Sequence, residues 1–189
     1  CRNHCTFCIR RKLEGKLTER PIEDVVKEIQ EIKEDNIMIA DSDFLINEKR
    51  LVKFCDLLEK KKIKKTYICY GSVNSILEKE KLFKRLSDNG VKAVIVGLES
   101  FSDVFLKKYN KAATLDENYK AVQVLRSNGI ATWGTFIIHP DFSKEDFKNF
   151  RKYLKYLKPE MISFTPLVPH FLTPLYQQYK DRKANFVVF

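Results

Sequence analysis

The sequence lacks a long apolar run, because no stretch of its 189 residues approaches the ~18 to 20 apolar residues that span a membrane. It also lacks the basic and then apolar start that marks a signal peptide. Low-complexity segments and linkers are missing too, which predicts a single domain, residues 1–189, with one core. We therefore expect a cytoplasmic protein without a transmembrane segment.

Cysteine is scarce and unevenly spaced. Cys1, Cys5 and Cys8 open the chain, whereas Cys55 and Cys69 lie within apolar runs. Such spacing does not suggest the disulfide framework of a secreted protein. It favours a reducing compartment, in which clustered thiols bind metal or act in catalysis. We interpret the last two cysteines as small core residues.

Acidic residues are outnumbered, because 35 Lys and Arg face 25 Asp and Glu for a formal net charge of +10. A positive charge can attract nucleic acid, anionic lipid or an acidic substrate. Here the basic residues spread over several predicted helices, as in residues 59–65, and do not gather with aromatic residues into an RNA-binding signature. We interpret them as solvated helix faces and do not expect a nucleic-acid partner.

Five short apolar runs, without polar alternation, are typical of strands buried on both faces of a parallel sheet. They occupy residues 36–40, 66–70, 93–97, 135–138 and 161–164. Helical patterns separate them, at residues 20–35, from Asn47 onward, at 75–88, at 116–128 and from Ser143 onward. A strand about every 30 residues predicts right-handed βαβ units, in an open doubly wound sheet or in a barrel.

The order of these elements leaves the cysteines without a strand. Functional loops of α/β folds follow the carboxyl ends of strands, yet no strand precedes Cys1. We therefore expect that a first strand is missing and that residues 1–189 are a fragment of a longer chain.

The C-x3-C-x2-C spacing of the opening thiols leaves three hypotheses open. A structural zinc site needs four protein ligands, and His4, the direct neighbour of Cys5, is poorly placed to be the fourth. A [4Fe–4S] cluster on three thiolates leaves one iron free to bind a substrate or cofactor. Unligated thiols are the third hypothesis. The spacing favours the cluster.

The opening "CRNHCTFC" resembles the cysteine motif of radical S-adenosylmethionine (radical SAM) enzymes. The later blocks "IADSDFLINEKR", "VKAVIVGLES", "YNKAATLDENYKAVQVLRSNGI", "FIIHPDFSKEDF" and "SFTPL" resemble, in order, those of cobalamin-binding radical SAM proteins, in particular the hopanoid C-3 methylase-like members. The resemblance covers nearly the whole chain. It implies a partial (β/α)6 TIM-like barrel, with strands two to six of its parallel sheet.

The resemblance also implies an activity. A [4Fe–4S] cluster would bind S-adenosylmethionine (SAM) and deliver one electron, supplied by an external donor such as flavodoxin or ferredoxin. The resulting 5′-deoxyadenosyl radical would serve C-methylation of an unknown substrate. Cobalamin is a further expected cofactor, with its domain upstream of this segment. The alternatives are radical chemistry without methyl transfer, such as cyclisation or rearrangement, and a zinc-stabilised α/β module that binds nucleic acid.

The resemblance assigns cofactor roles near the start of the chain. Cys1, Cys5 and Cys8 match the three cluster ligands, and Phe7 matches an aromatic residue near the adenine. Simple packing beneath the loop is the alternative role of Phe7.

Further positions match residues that contact SAM. The resemblance places Asp41 and Asp43 near its amine and Lys111 near its carboxylate. Glu99 and Ser100 end a strand, where we expect both to bind the cofactor and the Glu99 carboxylate to accept hydrogen bonds from the ribose hydroxyls. The competing interpretations are that the two aspartates cap a turn and that the lysine is solvated.

The chain departs from the family pattern at two places. Ser42 stands where the subgroup has a second aspartate, and residues around His170 replace a Pro-Leu-Pro-Gly-Thr segment. His139 ends a strand, where we expect it to satisfy backbone groups rather than act in catalysis. No catalytic residue is assigned. Without a first strand, we expect the cysteine loop to be anchored at one end only, so that the chain alone aggregates or binds iron weakly.

Overall fold

The computed structural model describes residues 1–15 and 17–181. Within them, five strands form one parallel sheet in chain order, curled into a half-barrel. The strands are β1 Asn36–Ile39, β2 Thr66–Gly71, β3 Val91–Glu99, β4 Ala131–Ile138 and β5 Met161–Pro166. The predicted parallel sheet is confirmed, and β3 and β4 begin earlier than predicted.

Nine α-helices precede, connect or follow the strands in this part of the chain. They are α1 Arg10–Glu14, α2 Ile22–Glu31, α3 Glu48–Lys61, α4 Val73–Leu77, α5 Phe83–Asp88, α6 Asp103–Lys108, α7 Leu115–Ser127, α8 Lys144–Leu157 and α9 Tyr176–Tyr179. Each of these helices falls short of the length and apolar character that a membrane crossing requires.

Side-chain oxygens fix where several helices begin. The Ser143 hydroxyl accepts from the backbone N–H of Asp146, and the Asp146 carboxylate accepts from that of Ser143. This capping box confirms the predicted start of α8. Thr114 and Glu117 form the same motif at the start of α7.

The helix predicted over residues 75–88 is interrupted. The structure has α4, a 3₁₀ turn at Glu80–Leu82 and then α5. The apolar residues that are buried on either side, Val73, Ile76, Phe83 and Leu86, keep helical spacing across the break. The pattern therefore indicates one helix although the backbone forms two.

The main core lies between the helices and the outer face of the sheet. Side chains alternate along each strand, so that Cys69, Val94 and Phe136 are buried against the helices. The opposite, inner face is half-buried at Ile68, Tyr70, Trp133 and Thr135, and we call it the lumen face. One layer of helices thus leaves the concave face of the sheet open to a ligand.

The expectation that every strand is buried on both faces is wrong for the two edge strands. Met38 of β1 is 52% exposed and Phe164 of β5 is 51% exposed. Each of these strands pairs with one neighbour within the described residues. An open groove of about 380 Å³, lined by Phe147, Leu154 and Phe164, remains beside β5. Burial here depends on what covers the edge, and the apolar run itself does not encode that.

Candidate active site

The cysteine loop, residues 1–8, lies against the end of α6. The backbone N–H of Thr6 donates to the carbonyl of Tyr109 at 2.9 Å. The side-chain amide of Asn110 donates to the carbonyl of His4, also at 2.9 Å. These bonds hold the middle of the loop beside the residues that follow α6.

Two further contacts fix the loop from other parts of the chain. The N–H of Leu175 donates to the carbonyl of Thr6 at 3.1 Å. The guanidinium of Arg2 donates to the carbonyl of Ile46 at 2.7 Å. The expectation that the loop is anchored at one end only is therefore wrong, because residues from several distant parts of the chain hold it.

The three thiols differ in exposure. Cys1 is exposed, whereas Cys5 and Cys8 are half-buried and joined by a turn in which the N–H of Cys8 donates to the carbonyl of Cys5 at 3.2 Å. Burial raises the pKa of the Cys5 thiol, the Lys111 ammonium lowers it, and the Glu99 carboxylate raises it. Cys5 thus lies within electrostatic reach of Lys111 and Glu99, the two residues that we expect to bind SAM.

The number of thiols on the loop suits a cluster. A structural zinc site takes four protein ligands, whereas the loop carries three cysteines, Cys1, Cys5 and Cys8. The irons of a [4Fe–4S] cluster occupy separate corners, and thiolates spread along one loop suit that shape.

Glu99 and Lys111 form a buried ion pair at the carboxyl ends of the strands, which we call the carboxyl rim. The Lys111 ammonium donates to Glu99 Oε1 at 3.2 Å, and the two side chains are 6% and 12% exposed, respectively. Glu99 ends β3 with a left-handed backbone, at φ 62. A register shift against β4 accompanies it, between Gly97 and Glu99.

Ser100 and Phe7 shape the surroundings of this pair. Ser100 is fully buried, and its hydroxyl accepts from the N–H of Ser102 at 3.2 Å, which directs the chain into α6. Phe7 packs edge-to-face on Tyr109, with ring centroids 5.5 Å apart, in a small apolar cluster with Leu175. Phe7 belongs to the cysteine loop and Ser100 follows β3, and the contacts of both residues with SAM stay predictions.

The two aspartates that follow β1 differ. Asp41 is exposed, whereas Asp43 is buried and its carboxylate accepts from the Ser75 hydroxyl at 2.8 Å and from the N–H of Ser72 at 3.4 Å. Asp43 thus joins the end of β1 to the start of α4. Asp41 remains the more accessible of the two for an ammonium group.

His139 follows β4 at the carboxyl rim and is 2% exposed. Its Nδ1 accepts from the N–H of Asp141 at 3.2 Å, as expected for a histidine that satisfies backbone groups. Its Nε2 lies 2.5 Å from the Tyr179 hydroxyl, to which the Lys108 ammonium also donates at 2.9 Å. The sequence pattern did not indicate Lys108 or Tyr179, because each lies among many similar residues. His170 is exposed and caps a turn at Leu172.

The parallel strands bring most of the predicted residues to one rim. Asp41 follows β1, Glu99 ends β3 and His139 follows β4, so all three lie at the carboxyl rim, as predicted. The cysteine loop lies near the same rim, because the charges of Glu99 and Lys111 act on the pKa of the Cys5 thiol. Fold and site together define a (β/α) half-barrel that carries a three-cysteine loop at its carboxyl rim.

This combination is that of a known family. The sequence model of the radical SAM superfamily matches residues 1–154. The chain belongs to the radical SAM superfamily, which uses a [4Fe–4S] cluster and SAM. The superfamily, the [4Fe–4S] cluster and SAM that were expected from the sequence are thereby confirmed.

Two curated relatives cover nearly all of the chain. It is 28% identical over 199 aligned positions to the anaerobic magnesium-protoporphyrin IX monomethyl ester cyclase of Rubrivivax gelatinosus, across 99% of this chain and 36% of that protein. It is 26% identical over 175 positions to the hopanoid C-3 methylase of Methylococcus capsulatus, across 90% and 33%, respectively. The chain spans about a third of the length of these relatives.

One solved structure supports the fold. The radical SAM methyltransferase TsrM from Kitasatospora setae, with cobalamin and a [4Fe–4S] cluster bound, superimposes with a TM-score of 0.74 at 18% identity. The match covers 93% of this chain and 36% of that chain. It confirms the partial radical SAM barrel.

Proposed function

We propose that the chain is the core of a radical SAM enzyme that methylates a carbon atom of an unknown substrate. The observation that carries the proposal is the contact between the cysteine loop and the residues around the Glu99–Lys111 pair, at the open lumen face of a half-barrel. Cys1, Cys5 and Cys8 would hold the cluster. When bound, the cluster supplies the electron that breaks a carbon–sulfur bond of SAM.

The residues of the chain would bind and orient SAM. Lys111 would attract its carboxylate, and Glu99 would accept hydrogen bonds from the ribose hydroxyls. Because these two side chains are paired with each other, SAM would replace their mutual contact with two contacts of its own. Phe7 would form the apolar wall beside the adenine, and Asp41 would offer a carboxylate to the amine.

The proposal also covers the longer protein to which this chain would belong. Residues 1–189 would be its radical SAM core domain, with a cobalamin-binding domain upstream and a flavodoxin or ferredoxin as the electron donor in the cytoplasm. A methylase among the relatives supports methyl transfer. A cyclase among them favours a second candidate, radical chemistry without methyl transfer.

Anaerobic reconstitution of the full-length protein with iron, sulfide, SAM and a reductant tests these proposals. We expect iron with acid-labile sulfide, formation of 5′-deoxyadenosine and release of S-adenosylhomocysteine. Deoxyadenosine without S-adenosylhomocysteine would favour the second candidate. One zinc and no iron would contradict both.

A further inference from the structure

Gly97 lies two residues before Glu99, on the lumen face of β3. It pairs in register with Thr135 of β4. A Cβ atom built at Gly97 would lie 2.3 Å from Glu99 Oε1 and 3.0 Å from the Lys111 ammonium nitrogen. The space above this glycine is therefore the space in which the carboxylate and the ammonium meet.

The effect of a Cβ atom at position 97 depends on which atoms it would contact. Both atoms are the ends of flexible side chains, so an added methyl group would move them and leave the backbone in place. The carboxylate and the ammonium are almost fully buried, so they cannot move without losing their contact or their position at the rim. A side chain at position 97 would thus change the site rather than the fold.

The backbone around Gly97 supports the same interpretation. Glu99 has φ 62, in the left-handed region that a residue with a side chain rarely adopts. The register shift between Gly97 and Glu99 marks a bulge, a feature that redirects a side chain next to functional sites. Asn118 of α7 donates to the carbonyl of Leu98 at 3.1 Å and holds the bulge from behind.

We propose that Gly97 is a positioning residue, whose missing side chain reserves the space from which Glu99 and Lys111 bind the ribose and carboxylate groups of SAM. The inference rests on the proposed function, because it takes SAM as the ligand of this rim. It adds a residue that acts through Glu99 and does not itself touch the ligand.

The test compares SAM affinity in variants of the full-length, reconstituted protein by anaerobic calorimetry. Gly97→Ala should raise the Kd for SAM at least tenfold. Its iron content should equal that of the wild type, because the cysteine loop is unchanged. A wild-type Kd in Gly97→Ala would overturn the inference.

Gly134→Ala is the matched control. Gly134 pairs with Val96 on the neighbouring strand, so it lies next to Gly97 in the sheet but faces the helices. Its Cβ atom would lie 2.8 Å from Leu98 Cδ1 and 3.1 Å from Phe136 Cε2, a comparable crowding on the other face. This variant should melt at a lower temperature and keep the Kd within twofold of the wild type. An equal loss of affinity in both glycine variants would show a general packing effect and overturn the inference.

A double variant tests whether Gly97 acts through Glu99. In Glu99→Asp, the carboxylate is one methylene shorter and retreats from the space above position 97. On this background, Gly97→Ala should change the Kd less than twofold. A loss as large as in the wild-type background would contradict the inference. If Gly97→Ala alone does not fold, recovery of folding by Glu99→Asp supports it, and an unfolded double variant overturns it.

The outcome for the wild type separates this inference from the proposed function. A wild-type protein that binds no SAM would overturn the proposed function and the inference together. A wild-type protein that binds SAM, with no specific effect of Gly97→Ala, would overturn the inference alone.

Discussion

Burial separates the five cysteines into two kinds. Cys55 and Cys69 are fully buried, and this burial raises their pKa to about 11 and about 12, respectively. A metal binds the thiolate form, which is disfavoured at both positions. In the cysteine loop, Cys1 is exposed and Cys5 and Cys8 are half-buried. Burial raises the pKa of the Cys5 thiol as well, although the Lys111 ammonium opposes this effect.

Serine substitution should therefore affect these cysteines differently. Changing Cys1, Cys5 or Cys8 to serine should abolish the iron–sulfur absorbance and the EPR signal of the reconstituted protein. The control Cys69→Ala should retain both and lose about 1 to 3 kcal/mol of stability through packing. A full cluster in all three serine variants would refute the ligand assignment.

The Glu99–Lys111 pair should be coupled strongly. Lys111→Met leaves the Glu99 carboxylate buried without its partner, which typically costs about 3 to 5 kcal/mol of unfolding free energy. The double variant Glu99→Gln/Lys111→Met should lose less, because no buried charge remains. Chemical denaturation measures both.

Lys120→Met is the control for that experiment. Lys120 pairs with Asp116 on the exposed face of α7, so its loss should not change stability measurably. Equal effects of the two lysine variants would show that the buried pair has no special energetic role.

At the scale of elements, one ionic network joins α3 to α5. The Arg85 guanidinium donates to both carboxylate oxygens of Glu59, at 2.9 and 2.7 Å, and to Asp56 at 2.5 Å. The hydrogen bond from Arg85 and a second one from Asn89 lower the pKa of Glu59 from 4.5 to about 2. Because the pKa of Glu59 is lower in the folded state than in the unfolded state, its ionised carboxylate stabilises the fold above pH 4.5. This stabilisation is lost as the pH falls toward 2.

Removing the guanidinium should flatten this acid dependence. Arg85→Met should lower stability at neutral pH and weaken its decline between pH 4.5 and pH 2, as measured by thermal unfolding across that range. Lys84→Met, which removes a positive charge one residue earlier on α5, should keep the steeper decline. Parallel pH profiles for Arg85→Met and the wild type would contradict the prediction.

The helices and strands show which parts of the fold can be predicted from short stretches of sequence. The apolar runs predicted all five strands, because a strand inside a parallel sheet has neighbours on both sides wherever it lies in the chain. They failed for the exposure of Met38 and Phe164, which depends on what covers each edge of the sheet. They also failed at the break before α5, because the apolar spacing continues across it.

The features of the candidate site also divide into those that a short stretch of sequence predicts and those that it does not. Cys1, Cys5 and Cys8 could be found from spacing, since all three lie on one loop. The pairing of Glu99 with Lys111 could not, because it depends on a left-handed residue and on a turn after α6. The contacts of Lys108 and Tyr179 with His139 join residues far apart in the sequence, and no local pattern marks them.

At the scale of the whole molecule, β1 has β2 as its one strand partner within the described residues, and this leads to a prediction about a longer chain. A further strand upstream should pair with β1 and cover polar groups that otherwise invite association. A protein extended upstream should therefore be more soluble than residues 1–189. Because the cysteine loop is held by later residues, iron bound per folded chain should differ less than solubility. Light scattering and iron analysis measure these two quantities, and equal solubility would contradict the pairing.

The distant contacts of the cysteine loop set an order of assembly. Thr6 bonds to Lys108, 102 positions later in the chain, and to Leu175. His4 bonds to Asn110, 106 positions later. A ribosome that adds 5–20 residues per second needs roughly 10 to 35 s to extend the chain from the cysteine loop to Leu175. The thiols are thus made well before the contacts that fix the loop can form. During translation they are open to oxidants, and a metal donor that arrives early meets a loop without its final shape.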